Sequence, residues 1–301
     1  MGFGSATPGL YNIGVPGKAY LSILQWPDEM DDPARVEALV ASAGLDPFLA
    51  TQRVRRGTPL IAAIVDEEVR ESVLAELRDR DVLAFAPSQG ELSAVPPALR
   101  AKRLVRPEGA PKPMFLVEPW RGEPEGLLCE NAFLIVRARL DQSTTRIITG
   151  SDAPAVSYGP GLGMGMGSGS FGVGMGLGMS MGDAGSPQVS TTHSHRHVLD
   201  LYTRDNRRIR CDSEKFNFDV LGDKRGLTDL ENSRRLAELV ESACRRASVD
   251  AAFQSFRASG DILTNFSRSC GDVLISRQDD SPAFEFYSAW SYCLHAAMRT
   301  G

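Results

Sequence analysis

From Tyr158 to Gly182 the chain reads YGPGLGMGMGSGSFGVGMGLGMSMG, and no Asp, Glu, Lys or Arg occurs between Asp152 and Asp183. Glycine gives up the most backbone freedom on folding and brings no side chain to bury. Ordering each residue costs roughly 1–2 kcal/mol of backbone entropy, with glycine at the high end. A globular core cannot be built from this stretch. It therefore divides the chain, and residues 151–192 are expected to form a disordered, low-complexity insertion.

The apolar residues of the segment alternate with glycine. Leu162, Met164 and Met166 fall at even positions, whereas Val173, Met175, Leu177, Met179 and Met181 fall at odd ones. In an extended conformation each half would be two-faced, and the slip near Phe171 is where a hairpin or bulge would turn the chain. This defines an alternative in which the protein self-associates or acts on membranes through the Gly/Met segment. An isolated hairpin is marginal even with good side chains, which favours the unstructured reading. Glycine at every second position disfavours a helix, so no stable membrane span is expected.

With 42% hydrophobic and 24% charged residues over 301 positions, the chain has material for two small domains. A net charge of −5 argues against general nucleic-acid binding, which needs an excess of Lys and Arg to neutralise phosphates. The basic runs Arg53-Val-Arg55-Arg56, Arg100 to Arg106 and Arg204 to Arg210 read as solvated faces. The cysteines Cys129, Cys211, Cys244, Cys270 and Cys293 are odd in number and widely spaced, without a Cys-x-x-Cys. Reduced thiols in a cytoplasmic protein fit this better than a disulfide framework or a zinc ribbon. The N-terminal sequence shows no basic and apolar leader, and Ala6 breaks the myristoylation pattern begun by Gly2.

The expected organisation is α+β in two small domains. Residues 1–18 form a loose Gly- and Pro-rich arm. Residues 19–95 carry strands at Ala19–Trp26, Pro59–Val65 and Val82–Ala86, and a further strand at Glu91–Val95. Helices are expected at Pro33–Ala43 and Pro47–Arg55, and another capped by Asp66 runs toward Arg78. This β-α-β-α-β order resembles a ferredoxin-like domain, a likeness of fold that does not fix function. Residues 96–126, with seven prolines, read as an extended linker. Within it Phe115, Val117 and Trp120 either pack on a neighbouring domain or bind a protein partner.

Residues 127–301 form the second domain, interrupted by the Gly/Met insertion. Strands are expected at Phe133–Leu140 and Val273–Ser276, and as a hairpin of Val198–Thr203 and Arg207–Cys211 turned by Asp205-Asn206. Thr228-Asp-Leu-Glu231 has the form of a capping box, and Ser281-Pro282 that of a helix start. The final helix aligns Phe286, Trp290, Leu294 and Ala297 on one stripe. A mostly antiparallel sheet closed by C-terminal amphipathic helices would suit a pleckstrin-homology-like domain.

Chemistry-bearing motifs are sparse. His193, His195 and His197 alternate on an expected strand, which points all three to one face about 7 Å apart. Such a trio chelates copper or zinc, and five methionine thioethers upstream would favour copper. The competing reading is polar residues at a loop-to-strand junction. The glycines lack the Lys-Ser/Thr of a phosphate loop, and Ser168 stands where a nucleophile elbow around Ser170 needs glycine. Cys211 follows Arg210 but reads as a buried strand residue. No catalytic residue, cofactor-binding residue or cofactor is assigned. The leading expectation is a non-enzymatic, cytoplasmic protein-interaction protein, an adaptor or regulator with an unidentified protein partner. The alternatives are copper or zinc binding through the three histidines, and self-association or membrane activity through the Gly/Met segment.

Overall fold

The computed structural model describes residues 17–148, 188–256, 266–270 and 273–300. The expectations for the N-terminal arm up to residue 16 and for the Gly/Met insertion at 151–187 lie outside the described residues; residues 188–192, expected in the same disordered insertion, are instead strand. The described chain divides into two compact units. The first comprises residues 17–142, 194–256 and 279–300, and the second comprises 143–148, 188–193, 266–270 and 273–278.

The first unit contains a small antiparallel sheet of β1 (Lys18–Gln25), β2 (Leu60–Asp66) and β3 (Leu83–Phe85), in the order β2-β1-β3. Alternation along β1 sends Ala19, Leu21 and Ile23 to one face, where they pack with Leu39, Val54 and Leu77. Those partners come from α1 (Asp32–Ala43), α2 (Pro47–Val54) and α3 (Arg70–Arg78). Asp31 and Asp46 cap α1 and α2 by accepting from the Ala34 and Phe48 amides, both at 2.9 Å. Gly44 ends α1 at φ 63°, a conformation that costs glycine little. Asp66 caps nothing: it pairs with Lys18 at 2.5 Å, and a 3-10 turn at Glu67–Val69 precedes α3. The strand expected at 91–95 is instead helix α4 (Gln89–Ser93). Its start is fixed by a reciprocal capping box, with the Glu91 amide donating to Ser88 at 3.1 Å and the Ser88 amide donating to Glu91 at 2.6 Å.

The same unit holds the larger sheet, and here the linker expectation is corrected. Residues 96–126 supply β4 (Ala98–Val105), β5 (Met114–Pro119) and the start of β6 (Glu125–Leu128). The prolines sit outside the strands or at their ends, where a missing ladder donor costs nothing. With β7 (Ala132–Ile148), β8 (Gln188–Thr203) and β9 (Arg208–Asp212), the strands run β7-β8-β9-β4-β5-β6. The β4–β9 pair is parallel, β8–β9 antiparallel, and β10 (Ser248–Asp250) joins β7 in parallel. Asn206, at φ 61°, turns the β8–β9 hairpin as its sequence indicated.

Helices cover both faces of this sheet. On one, Ile135, Leu199, Leu201 and Ile209 pack against Leu236 and Val240 of α5 (Asp229–Ala243). On the other, Leu134, Val136, Val198 and Tyr202 meet Phe286, Tyr287 and Trp290 of α6 (Ser281–Thr300). Helix α6 also reaches the free face of the small sheet. Its Phe286 ring lies 4.9 Å from that of Tyr20, and Trp290 Nε1 donates to Ser22 Oγ at 2.8 Å. One helix thus seals two sheets, and the architecture is α+β.

Helix α5 is held at its start by Thr228, whose hydroxyl accepts from the Glu231 amide at 3.2 Å, while the Glu231 carboxylate pairs with Arg235. Thr228→Ala is expected to lower the unfolding free energy by about 1 kcal/mol, measured by urea denaturation. A change below a few tenths would show that the cap contributes nothing.

In the second unit β11 (Phe266–Cys270) and β12 (Val273–Asp279) pair antiparallel, from Phe266 opposite Arg277 to Cys270 opposite Val273. The hydroxyls of Thr145 and Thr191, on the outer lengths of β7 and β8, lie 3.1 Å apart. Among the described residues no helix is long and apolar enough to cross a membrane.

Candidate functional site

A cavity of about 290 Å³ opens in the first unit between the β7-β8-β9 face and the N-terminal half of α5. Alternation positions its sheet wall. The odd-numbered residues of β7, β8 and β9 face α5, which brings Arg137, Arg139, His197, Leu199 and Cys211 to one surface. The floor is apolar: Leu199, Cys211, Phe216, Phe218, Leu236 and Ala237 are all buried. Phe216 and Phe218 meet edge to face at 5.2 Å, and that rigid pair props the end of the sheet beside the helix.

The rim is basic. Arg137, Arg139 and Arg234 line the cavity, and no carboxylate is among its lining residues. Their partners stand outside it: Arg137 pairs with Glu241 at 3.1 Å, Arg139 with Asp141 at 3.2 Å, and Arg234 with Glu238 at 3.7 Å. Asp141 is shared, because His195 Nδ1 lies 2.7 Å from the same oxygen. Burial lowers the pKa of His197, the Arg139 charge lowers it further, and the neutral imidazole is favoured. The Ser213 hydroxyl accepts from the His197 amide at 2.9 Å, tying the two lining residues together. Burial pushes the Cys211 thiol up, so it presents an uncharged, apolar surface.

The three histidines thus have separate roles. His195 engages Asp141, His197 lines the cavity, and His193 is exposed in the second unit. Among the described residues no group of three or more His, Cys, Asp or Glu side chains is arranged to hold a metal ion.

The suggested partner-binding residues also separate. Phe115 and Val117 are 1% and 0% exposed and belong to the core beneath α5, so a partner cannot reach them. Trp120 is 52% exposed, with the Lys102 ammonium 5.9 Å from its ring centroid.

Two further clusters are interior. On the α6 face, Asp200 Oδ2 accepts from Arg208 Nη2 at 2.7 Å, Arg210 Nη2 at 2.6 Å and Ser288 Oγ at 2.6 Å. Its Oδ1 accepts from Arg210 Nε at 2.6 Å. Glu285 takes the remaining arms of Arg208 and Arg210 at 2.5 and 2.6 Å. Asp200 is fully buried, and burial would raise its carboxyl. The charges of Arg208 and Arg210 outweigh that effect, with help from the Arg210 and Ser288 hydrogen bonds, and hold it far below the usual carboxylate range. The Arg204–Arg210 run expected as a solvated face is thus partly interior. Beneath α5, the buried Cys129 and Cys244 interact, which holds Cys129 below the ordinary thiol range and pushes Cys244 above it. Both charge-paired and thiol-paired clusters are closed in on themselves, whereas the cavity is open.

The sequence singled out His197 and Cys211 among the lining residues, though for other chemistry, and the arginines and aromatics were missed although one signal for them was present. Arg137-Ala-Arg139 on an apolar strand puts two cations on the same face, and a strand facing a helix needs a reason to carry them. Compared with known proteins, the chain matches no family model, no curated protein and no solved structure.

Proposed function

We propose that this is a non-catalytic binding protein that takes a small apolar molecule into the cavity between β7-β8-β9 and α5. The observation that carries the reading is an apolar floor ringed by a few convergent polar groups, the usual make-up of a ligand pocket. The volume lies at the lower end of the roughly 300–1,000 Å³ typical of such sites. At about 30 Å³ per water-sized group, it accommodates on the order of ten heavy atoms. Binding rather than turnover is the reading because burial holds Cys211, the thiol lining the cavity, uncharged. The protein-interaction role expected from the chain's layout is compatible with it. The ferredoxin-like and pleckstrin-homology-like likenesses add nothing to the proposal.

The test is a heteronuclear NMR titration with 1-octanol. Saturable shifts at the Leu199, Phe218 and Leu236 amides are expected, and Ser233→Phe, which fills the cavity from α5, should abolish them while the remaining spectrum stays folded. Shifts that never saturate, or that survive Ser233→Phe unchanged, would remove the reading.

A further inference from the structure

Resting on that reading, we infer that the cavity selects an amphipathic anion, a medium-chain or aryl carboxylate whose tail lies on the apolar floor and whose head meets the arginine rim. Three observations converge on this class. The floor of Leu199, Phe216, Phe218 and Leu236 offers nothing to a polar tail. Arg139 and Arg234 stand at the opening with their side chains half or more exposed, free to turn toward a head group. Their own carboxylate partners hold them weakly. Asp141 is divided between Arg139 and His195, and the Arg234–Glu238 pair is a solvated contact at 3.7 Å. An incoming carboxylate can therefore accept from guanidinium groups without first breaking a strong ion pair, and it gains charge-assisted, bidentate hydrogen bonds.

Charge complementarity also argues against a cationic ligand. A ligand ammonium would meet Arg137, Arg139 and Arg234 with no carboxylate in the lining to receive it. Size sets the tail. Octanoate, with ten heavy atoms, matches the space on the scale used above.

The experiment compares sodium octanoate with 1-octanol on the full chain by isothermal titration calorimetry, in the wild type and in an Arg139→Gln/Arg234→Gln double variant. Both positions are at the surface, so the variant is expected to fold. Octanoate should bind the wild type at least about tenfold more tightly than octanol, as loss of a charge-assisted hydrogen bond implies. The double variant should lose that advantage, its octanoate affinity falling to near its octanol affinity. Equal affinity of the two probes in the wild type, or an octanoate advantage that survives the double variant, overturns the anion inference and leaves the cavity reading intact. Failure of both probes to bind overturns both.

Discussion

Asp200→Asn is expected to lower the unfolding free energy by about 3–5 kcal/mol, because it leaves two buried guanidinium groups short of their counter-charge. The wild-type cluster balances: Arg208 and Arg210 face Asp200 and Glu285, and every arm lies within 3.1 Å of an oxygen of the fully buried Asp200 or of Glu285. Removing the Asp200 charge leaves Glu285 alone to neutralise both cations. An amide nitrogen turned toward the two guanidinium groups would also meet only donors. Urea denaturation at neutral pH measures the effect, and a loss under about 1 kcal/mol would show that the cluster relaxes freely.

The pH dependence supplies a second readout of the same variant. Asp200 is depressed in the folded state, so its contribution is fully present above the ordinary unfolded value of about 4 and declines as pH falls below it. The gap between wild type and Asp200→Asn should be flat from neutral pH to about 5 and narrow below about 4. A gap that instead narrows on raising the pH from 5 to 8 would contradict the assignment. Replacing all four charged groups together by apolar residues of similar volume should restore much of the loss, since a buried ion cluster earns little over good packing.

The local elements of the first unit were legible in the chain where punctuation was strong. The expected spans Pro33–Ala43 and Pro47–Arg55 match α1 and α2 within one residue, and Asn206 marks the β8–β9 turn. Legibility failed where one signal masked another. The prolines of 96–126 spell a linker, yet Ala98–Val105 and Met114–Pro119 lie between them as whole strands that pair with each other, with β6 beside β5 and the distant β9 beside β4. Ser88-x-x-Glu91 is a helix start, but the short apolar run after it reads equally as a strand. The candidate site was harder still. Its walls come from three strands and a helix separated by about a hundred residues, and no local window contains both Arg139 and Phe218. Arg208 and Arg210 look like surface charge because one of their two partners, Glu285, lies 77 and 75 residues away on the helix that buries them.

Trp290→Ala is expected to cost about 3–5 kcal/mol, the range for deleting a large aromatic from a core. The indole is 2% exposed on α6, at the place where that helix meets both sheets. Its ring lies 5.1 Å from Phe256 and 5.8 Å from Tyr287, and its Nε1 donates to Ser22 Oγ in β1. Neighbouring anchors on the same helix fix the backbone and prevent it from collapsing into the space. Tyr287 and Ser291 both donate to Asp250 at 2.5 Å, and Ser288 donates to Asp200. A cavity that cannot close sets the cost near the top of the range. Trp290→Phe separates the two contributions: it keeps most of the buried ring and removes the bond to Ser22, whose hydroxyl still reaches the Tyr20 carbonyl at 3.3 Å. That variant should lose about 1–2 kcal/mol, chiefly the hydrogen bond. If Trp290→Phe destabilises as much as Trp290→Ala, the polar tie to the small sheet governs the docking of α6. If Trp290→Ala costs under about 1 kcal/mol, the helix does not join the two sheets at all.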